Sequence, residues 1–375
     1  MELKMDFVGI DLHTNRFTCC YLNAAGKKKM KTYELTEQDM DLFFSSVCPK
    51  STAVIIEATV NSFAFEKLIR EHVQQVIVAN TFQLKQISFT NKKTDKVDAY
   101  KLARILKGQM MSGEEQISPV VVPPQHIQDL RALFTTYRLF RKQVGSTKNR
   151  IHSLLKQNLK PFTKEYIFGK KTRKEIRCLC SEIPALHFQL NFLFDHLEHL
   201  ENKVSVLKDK ISEEGRFYMN EIDILTSMKG ISVFTAIAIV ADIISVDRFP
   251  NSKRFASYLR STPKVESSNA KTIIKSTNKA GRKVAITLLS QALNHYRDAS
   301  PAAKRWHDRL REYKKAGVVR MGLCRKMITE IYQMLKKNEY HYFMDRNNHK
   351  KKMEEYFKFL EKRNKAVPEL EKQSA

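Results

Sequence analysis

Over its first hundred residues the chain alternates short apolar runs of strand length with amphipathic segments, and beyond residue 125 the apolar positions recur at helical spacing instead. Residues 6–11 (DFVGID) and 53–57 (AVIIE) suit buried strands, with 17–22 (FTCCYL) and 28–35 as intervening strands. Residues 37–47 and 62–72 read as helices and 76–79 (VIVA) as a further apolar run. The segment from Thr94 to Ala103 reads as a helix with Thr94 in the N-cap position. Three strands, helix, strand, helix, strand, helix is the order of a mixed sheet covered by helices.

The rest predicts helices. Residues 125 to about 160 and 185–212 form two long amphipathic runs, expected to pack as an antiparallel hairpin, with a basic and irregular stretch at 164–180 between them that is suited to a phosphate backbone or simply to solvent. From Asp223, Leu225 to Ser232 (LTSMKGIS) precedes an apolar helix through Ala236, Ala238, Val240 and Ala241, in the manner of a helix-hairpin-helix whose turn offers N–H groups to phosphate. Residues 320–337 read as another helix and those from about Asn347 as a charged tail, mobile beyond Pro368; Trp306 is expected to anchor a helix. Between Pro263 and Arg282 lies a polar serine loop flanked by basic residues.

Four acids punctuate the first region. Asp11 ends the first apolar strand, Glu57 ends another, and Asp95 and Asp98 open a helix three residues apart, on one face. Carboxylates gathered this way repel one another unless hard cations such as Mg²⁺ neutralise them, so the pattern points to a divalent-metal site acting on phosphodiesters, as in an RNase H-like nuclease. Glu57 is the most informative member, because an acid closing Val54-Ile55-Ile56 is costly to bury without a partner. Any one of the four, taken singly, is ordinary, and Asp95 alone would do no more than favour the helix dipole. His13, two residues beyond Asp11, is expected only to line the pocket.

Charge adds a partner. Lys and Arg number 66 against 40 Asp and Glu, a formal net charge of +26, which suits nucleic acid and predicts affinity that falls steeply with salt. No stretch approaches the roughly 20 apolar residues of a membrane-spanning helix. The six cysteines show no CxxC pair for zinc, the histidines no HExxH, and no signal-peptide pattern opens the chain; reduced thiols in a cytoplasmic protein are expected. Composition divides the chain into 1–108, a linker at 109–124 with three prolines, a helical region at 125–215, a further domain at 216–345 and a basic tail at 346–375.

Asp11, Glu57 and the string Lys93-Thr94-Asp95-Lys96-Val97-Asp98-Ala99, with Lys229-Gly230-Ile231 and the series Phe249, Phe255, Tyr258, Pro263, Ser268, Lys279 and Gly281, resemble the insertion sequence 110 family of DEDD transposases. The resemblance runs to about residue 340. Leu130-Arg131 followed by Arg138, Arg141 and Asn149-Arg150-Ile151-His152 is similar to that family's basic helical region. It implies an α/β plus α fold: a RuvC-like, RNase H-like mixed-sheet domain whose Asp11, Glu57, Asp95 and Asp98 hold Mg²⁺ or Mn²⁺, a helical hairpin, and a mainly α-helical transposase domain. Ser268 matches the family's nucleophilic serine, with Ser267 the alternative because Asn269 stands where the family has Gly. Arg260-Ser261 likewise replaces a Gly-Leu pair.

What the resemblance implies further is strand cleavage and exchange through a phosphoserine. Target and donor DNA are chosen by a guide (bridge) RNA, in a homo-oligomer between dimer and tetramer, associated with the bacterial nucleoid. Lys271, Lys279, Arg282, Arg138, Arg141 and Arg150 would contact nucleic acid. Two other functions fit the residues without it. A metal-only nuclease of junction-resolvase type would need no serine, and a non-catalytic nucleic-acid-binding remnant would need only the charge.

Overall fold

The apolar runs pair into one five-stranded sheet. β1 (Asp6–Leu12), β2 (Arg16–Asn23) and β3 (Lys28–Glu34) are successive antiparallel neighbours, and β4 (Thr52–Glu57) and β5 (Gln75–Ala79) add in parallel beyond β1, giving the order β3-β2-β1-β4-β5. The helices α1 (Glu37–Phe44) and α2 (Ser62–Ile69) join the later strands, and α3 (Thr81–Ile87) and α4 (Asp95–Ser112) follow the last. This is the mixed, RNase H-like sheet that the sequence predicts. The computed structural model describes residues 6–87, 94–160, 167–268, 271–277 and 281–363, and it falls into two compact units, Met1–Pro123 and Pro124–Ala375.

Because strand side chains alternate, each strand feeds two cores. Val8, Ile10, Val54 and Ile56 pack with Met40, Phe43, Phe65 and Ile69 from α1 and α2 on one face. Phe7, Ala53, Ile55 and Ile77 meet Ala99, Leu102, Ala103 and Leu106 of α4 on the other. Gly9 sits on that second face. A Cβ placed on it would lie 2.1 Å from the carbonyl oxygen of Ala99 and 2.3 Å from the amide nitrogen of Ala103, so α4 rests on bare backbone. The lysines Lys28, Lys29 and Lys31 blunt the exposed edge at β3, while Val120 N–H donates to the Val78 carbonyl (2.7 Å) along the β5 edge.

The second unit begins with α5 (Gln125–Gln157), then α6 (Lys170–Leu179) and α7 (Pro184–Glu214); α5 and α7 form the expected antiparallel hairpin around Val144, Ile151, Leu190, Phe194 and Leu197. The basic stretch read as irregular is helical in its second half. α6 buries Ile176 and spends its cations internally, Arg173 on Glu201 (2.5 Å) and Arg177 on Asp195 (2.6 Å).

Beyond the hairpin, α8 (Met219–Thr226) and α9 (Val233–Ile243) flank the tight turn at Gly230, whose φ of +96° an L side chain rarely adopts. α9 is apolar all round and is buried accordingly by its neighbours. Next come α10 (Ser252–Tyr258), β6 (Pro263–Ser268), β7 (Lys271–Thr277), α11 (Val284–Ala299), α12 (Pro301–Arg311) and α13 (Ala316–Lys337). Trp306 does anchor a helix: its ring lies over Gly322, where a Cβ would come within 2.7 Å.

Two expectations are corrected. The serine segment is an antiparallel hairpin, β6 on β7, within the otherwise helical domain. Its β-branched positions, Val265, Thr272, Ile273 and Ile274, favour extended backbone. The charged tail begins as a helix, α14 (Arg346–Lys362), which buries Met353, Tyr356 and Leu360. Lys352 reaches from it to the carbonyls of Thr226 (3.0 Å) and Ile231 (2.9 Å). The helix-hairpin-helix turn is therefore packed from within, and burial pulls the Lys352 pKa down. The residues beyond Pro368 lie outside those described.

The closeness of α4 to β1 sets a stability test. Gly9→Ala overpacks that crossing and is expected to cost about 1–3 kcal/mol, with Gly9→Val costing more, as read from urea or thermal unfolding.

Candidate functional site

The period of two that places Phe7 and Gly9 against α4 places Asp11 on the same face, and on β4 the same holds for Ile55 and Glu57. Ile10 pairs with Ile56 in the parallel ladder, so Asp11 and Glu57 are adjacent strand ends. α4 brings its first turn to that end. Thr94 caps it as expected, its Oγ1 accepting from the Val97 amide at 3.3 Å, and Asp95 and Asp98 lie in the first turn.

Asp11, His13 and Asp95 each offer an atom within 4.8 Å of the others. His13 Nε2 stands 3.4 Å from Asp11 Oδ2 and 3.4 Å from Asp95 Oδ1. Arg16 reaches Asp95 Oδ2 at 3.1 Å, and Lys101 reaches Asp98 Oδ1 at 3.0 Å. Burial raises the Asp11 pKa; His13 opposes that, and the charges of Asp95 and Asp98 add to it. Glu57 is half-buried and has no ion-pair or side-chain hydrogen-bond partner among the described residues. Asn61, at the N-cap of α2, donates to the His13 carbonyl (2.8 Å) and so ties down the turn after β1.

This donor set suits a hard divalent cation. Carboxylate oxygens are the ligands Mg²⁺ and Mn²⁺ take, and a cation would reverse the penalty that burial and like charge impose on Asp11. The imidazole of His13 suits Mn²⁺ better than Mg²⁺. The sequence places His13 at the pocket, two residues beyond Asp11 and just past the end of β1, but gives no sign of Arg16 or Lys101 as partners of the acids.

Of the cations singled out from sequence, Arg138, Arg141 and Arg150 are exposed on α5. Arg138 and Arg141 line a cavity of about 300 Å³ with Tyr137, Lys142, Val284 and Gln291, beside the start of α11. Arg282 is turned inward, its Nε donating to Asp242 Oδ1 at 2.6 Å. Lys271 is the first residue of β7, paired with Ser268, and Lys279 lies outside the described residues. Ser267 and Ser268 are the last two residues of β6.

The hairpin's roots are held in an unusual backbone. Arg260 has φ +62° and Gly281 φ +94°. Arg260 thus holds a left-handed conformation that a glycine adopts freely and a residue with a side chain adopts only at a cost. Ser261 Oγ and N–H both bond the Ala256 carbonyl, at 2.8 and 3.0 Å.

Comparison with known families gives two matches. A DEDD transposase model of the IS110 group, described as "Transposase", matches residues 8–159, and a model described as "Transposase IS116/IS110/IS902 family" matches residues 222–308. Together they take in more than half of the chain, and the first spans all four acids. A comparison with curated proteins finds no match. No helix among the described residues is long and apolar enough to cross a membrane.

Two substitutions probe this geometry. The raised Asp11 pKa means that the folded state disfavours its charge, so Asp11→Asn is expected to melt no lower than the wild type without metal. In Mn²⁺ at a hundred times its dissociation constant the wild type gains about 2.7 kcal/mol and the variant does not, measured by thermal shift. Arg260→Gly relieves the left-handed backbone and is expected to stabilise the chain by up to about 1 kcal/mol in urea unfolding.

Proposed function

This chain belongs to the IS110 family of DEDD transposases, enzymes acting on the DNA of mobile elements, and from that premise we propose that it cuts and rejoins DNA through a phosphoserine on Ser268. The observation carrying this reading is the close grouping of Asp11, His13 and Asp95, with Asp98 in the same first turn of α4 and Glu57 at the neighbouring strand end, in a chain that also has paired serines at the end of a β-strand.

The chemistry divides between the two units. Asp11, Glu57, Asp95 and Asp98 are the residues that would hold Mg²⁺ or Mn²⁺; the cation, when bound, neutralises charge developing on the phosphate. Ser268 Oγ attacks the phosphorus, an O–P bond forms as the bond to one deoxyribose oxygen breaks, and the serine's proton is released as the departing strand becomes a hydroxyl. Attack by a hydroxyl of the new partner strand reverses these steps, so no bond energy is lost. Consecutive strand positions belong to opposite faces, so one of Ser267 and Ser268 serves and the other does not.

Arg138, Arg141 and Arg150 offer exposed charge to phosphates, a contact that positions nucleic acid without reading bases. Sequence choice then falls to a guide RNA that pairs with target and donor, and an assembly of two to four copies supplies enough serines for both strands of each duplex.

The test is a denaturing gel of full-length protein with element-end DNA, the RNA transcribed beside it and Mn²⁺. A covalent protein–DNA band that Ser268→Ala abolishes and Ser267→Ala retains is expected. Cleavage with no covalent band would replace this reading with a metal-only nuclease. The opposite serine dependence would move the nucleophile to Ser267.

A further inference from the structure

Asp242 is the one acid in α9, whose other positions from Phe234 to Ile243 are apolar or threonine, and it is 1% exposed. A carboxylate that deep is retained only where its bonds are well made. Here both oxygens are used: Oδ1 accepts from Arg282 Nε at 2.6 Å and Oδ2 from the Ala285 amide at 2.9 Å. Ala285 is the second residue of α11, a helix that lacks a side-chain cap of its own, so Asp242 caps α11 from across the core.

The main chain of the same residue serves the other side. The last carbonyls of α9 have no intrahelical partner. Tyr258 Oη donates to the Asp242 carbonyl at 3.0 Å, and Arg131 on α5 donates to the carbonyls of Ala241 (2.7 Å) and Asp242 (3.0 Å). Tyr258 ends α10 just before β6, and Arg282 and Ala285 follow β7. A Cβ on Gly281 would sit 3.0 Å from the Tyr258 carbonyl, so the two roots touch.

We propose that Asp242 is a positioning residue for the serine hairpin, a buried carboxylate that fixes where β6 and β7 leave the helical core, with Arg282 as its charged partner and not a DNA contact. The proposal rests on the serine reading for its consequence in catalysis, but its structural content does not. Lys283 and the α5 cations Arg138 and Arg141 remain the charges available to phosphate near this point.

The test uses the full chain. Backbone hydrogen exchange and, separately, covalent adduct formation and DNA affinity are measured for Arg282→Gln, Asp242→Asn and the double variant. Arg282→Gln leaves Asp242 buried without its ion-pair partner, only the Ala285 amide still bonding it, and is expected to lose at least tenfold protection in residues 263–277 while the amides of β1, β4 and α7 keep theirs. The double variant replaces the ion pair with an amide–amide hydrogen bond and is expected to recover most of that protection. Adduct formation should fall at least thirtyfold in Arg282→Gln with DNA affinity changed less than threefold, and should recover in the double variant.

Unchanged exchange in the hairpin for both single variants would overturn the proposal, as would a uniform loss of protection across the second unit that the double variant does not repair. So would a drop in DNA affinity that matches the drop in adduct, since Arg282 would then be a contact. If the wild type forms no serine adduct, the serine reading fails, and the exchange data still decide the role of Asp242.

Discussion

The contact between α4 and β1 at Gly9 is the constraint on which the candidate metal site depends. Without a side chain at that position, the helix backbone reaches the strand backbone, and the small residues Ala99 and Ala103 complete the approach. One turn toward the N-terminus of α4 lie Asp98 and Asp95, and two residues along β1 lies Asp11. Asp11 and Asp95 meet because two periodicities, two in the strand and 3.6 in the helix, are brought into phase at one glycine. Burial, with the charges of Asp95 and Asp98 adding to it, raises the Asp11 pKa, and His13, Arg16 and Lys101 stand against the acids.

A second organising point lies in the helical unit, where α9 ends. An apolar helix buried on all sides delivers its unsatisfied carbonyls to the interior, and Arg131, Tyr258 and Arg248 satisfy them. Ile244, next in the chain, takes φ +70°, a conformation costly for a β-branched residue and held by those surrounding bonds. The hairpin bearing Ser267 and Ser268 leaves the core at this same point. Rigid support beneath the strand that carries it is what a nucleophile needs if its oxygen is to meet a phosphorus at a fixed distance.

Legibility from sequence followed the range of the interactions. Strands β1, β2, β4 and β5 carry local apolar runs, and each was readable within about a residue; Thr94 as an N-cap depends only on its own turn. The α6 and α14 helices were hidden by their charge, since a single stripe such as Met353, Tyr356 and Leu360 is easily lost among lysines. The β6–β7 pairing is a contact between segments whose polar residues suggest a loop. Asp242 carries a signal of its own, an acid inside an apolar helix, and its partner is Arg282, which the family resemblance implied as a nucleic-acid contact. Arg260 shows the converse: a left-handed backbone at a residue whose type does not announce one.

Whether α4 and β1 assemble a metal centre is tested most directly by anomalous diffraction at the manganese edge from crystals of the full chain soaked in Mn²⁺. The expected result is a peak within coordinating distance of Asp11 and of at least two among Glu57, Asp95 and Asp98, with Arg16 displaced from Asp95. Absence of a peak there, at Mn²⁺ concentrations that support DNA cleavage, would contradict the assignment of these acids.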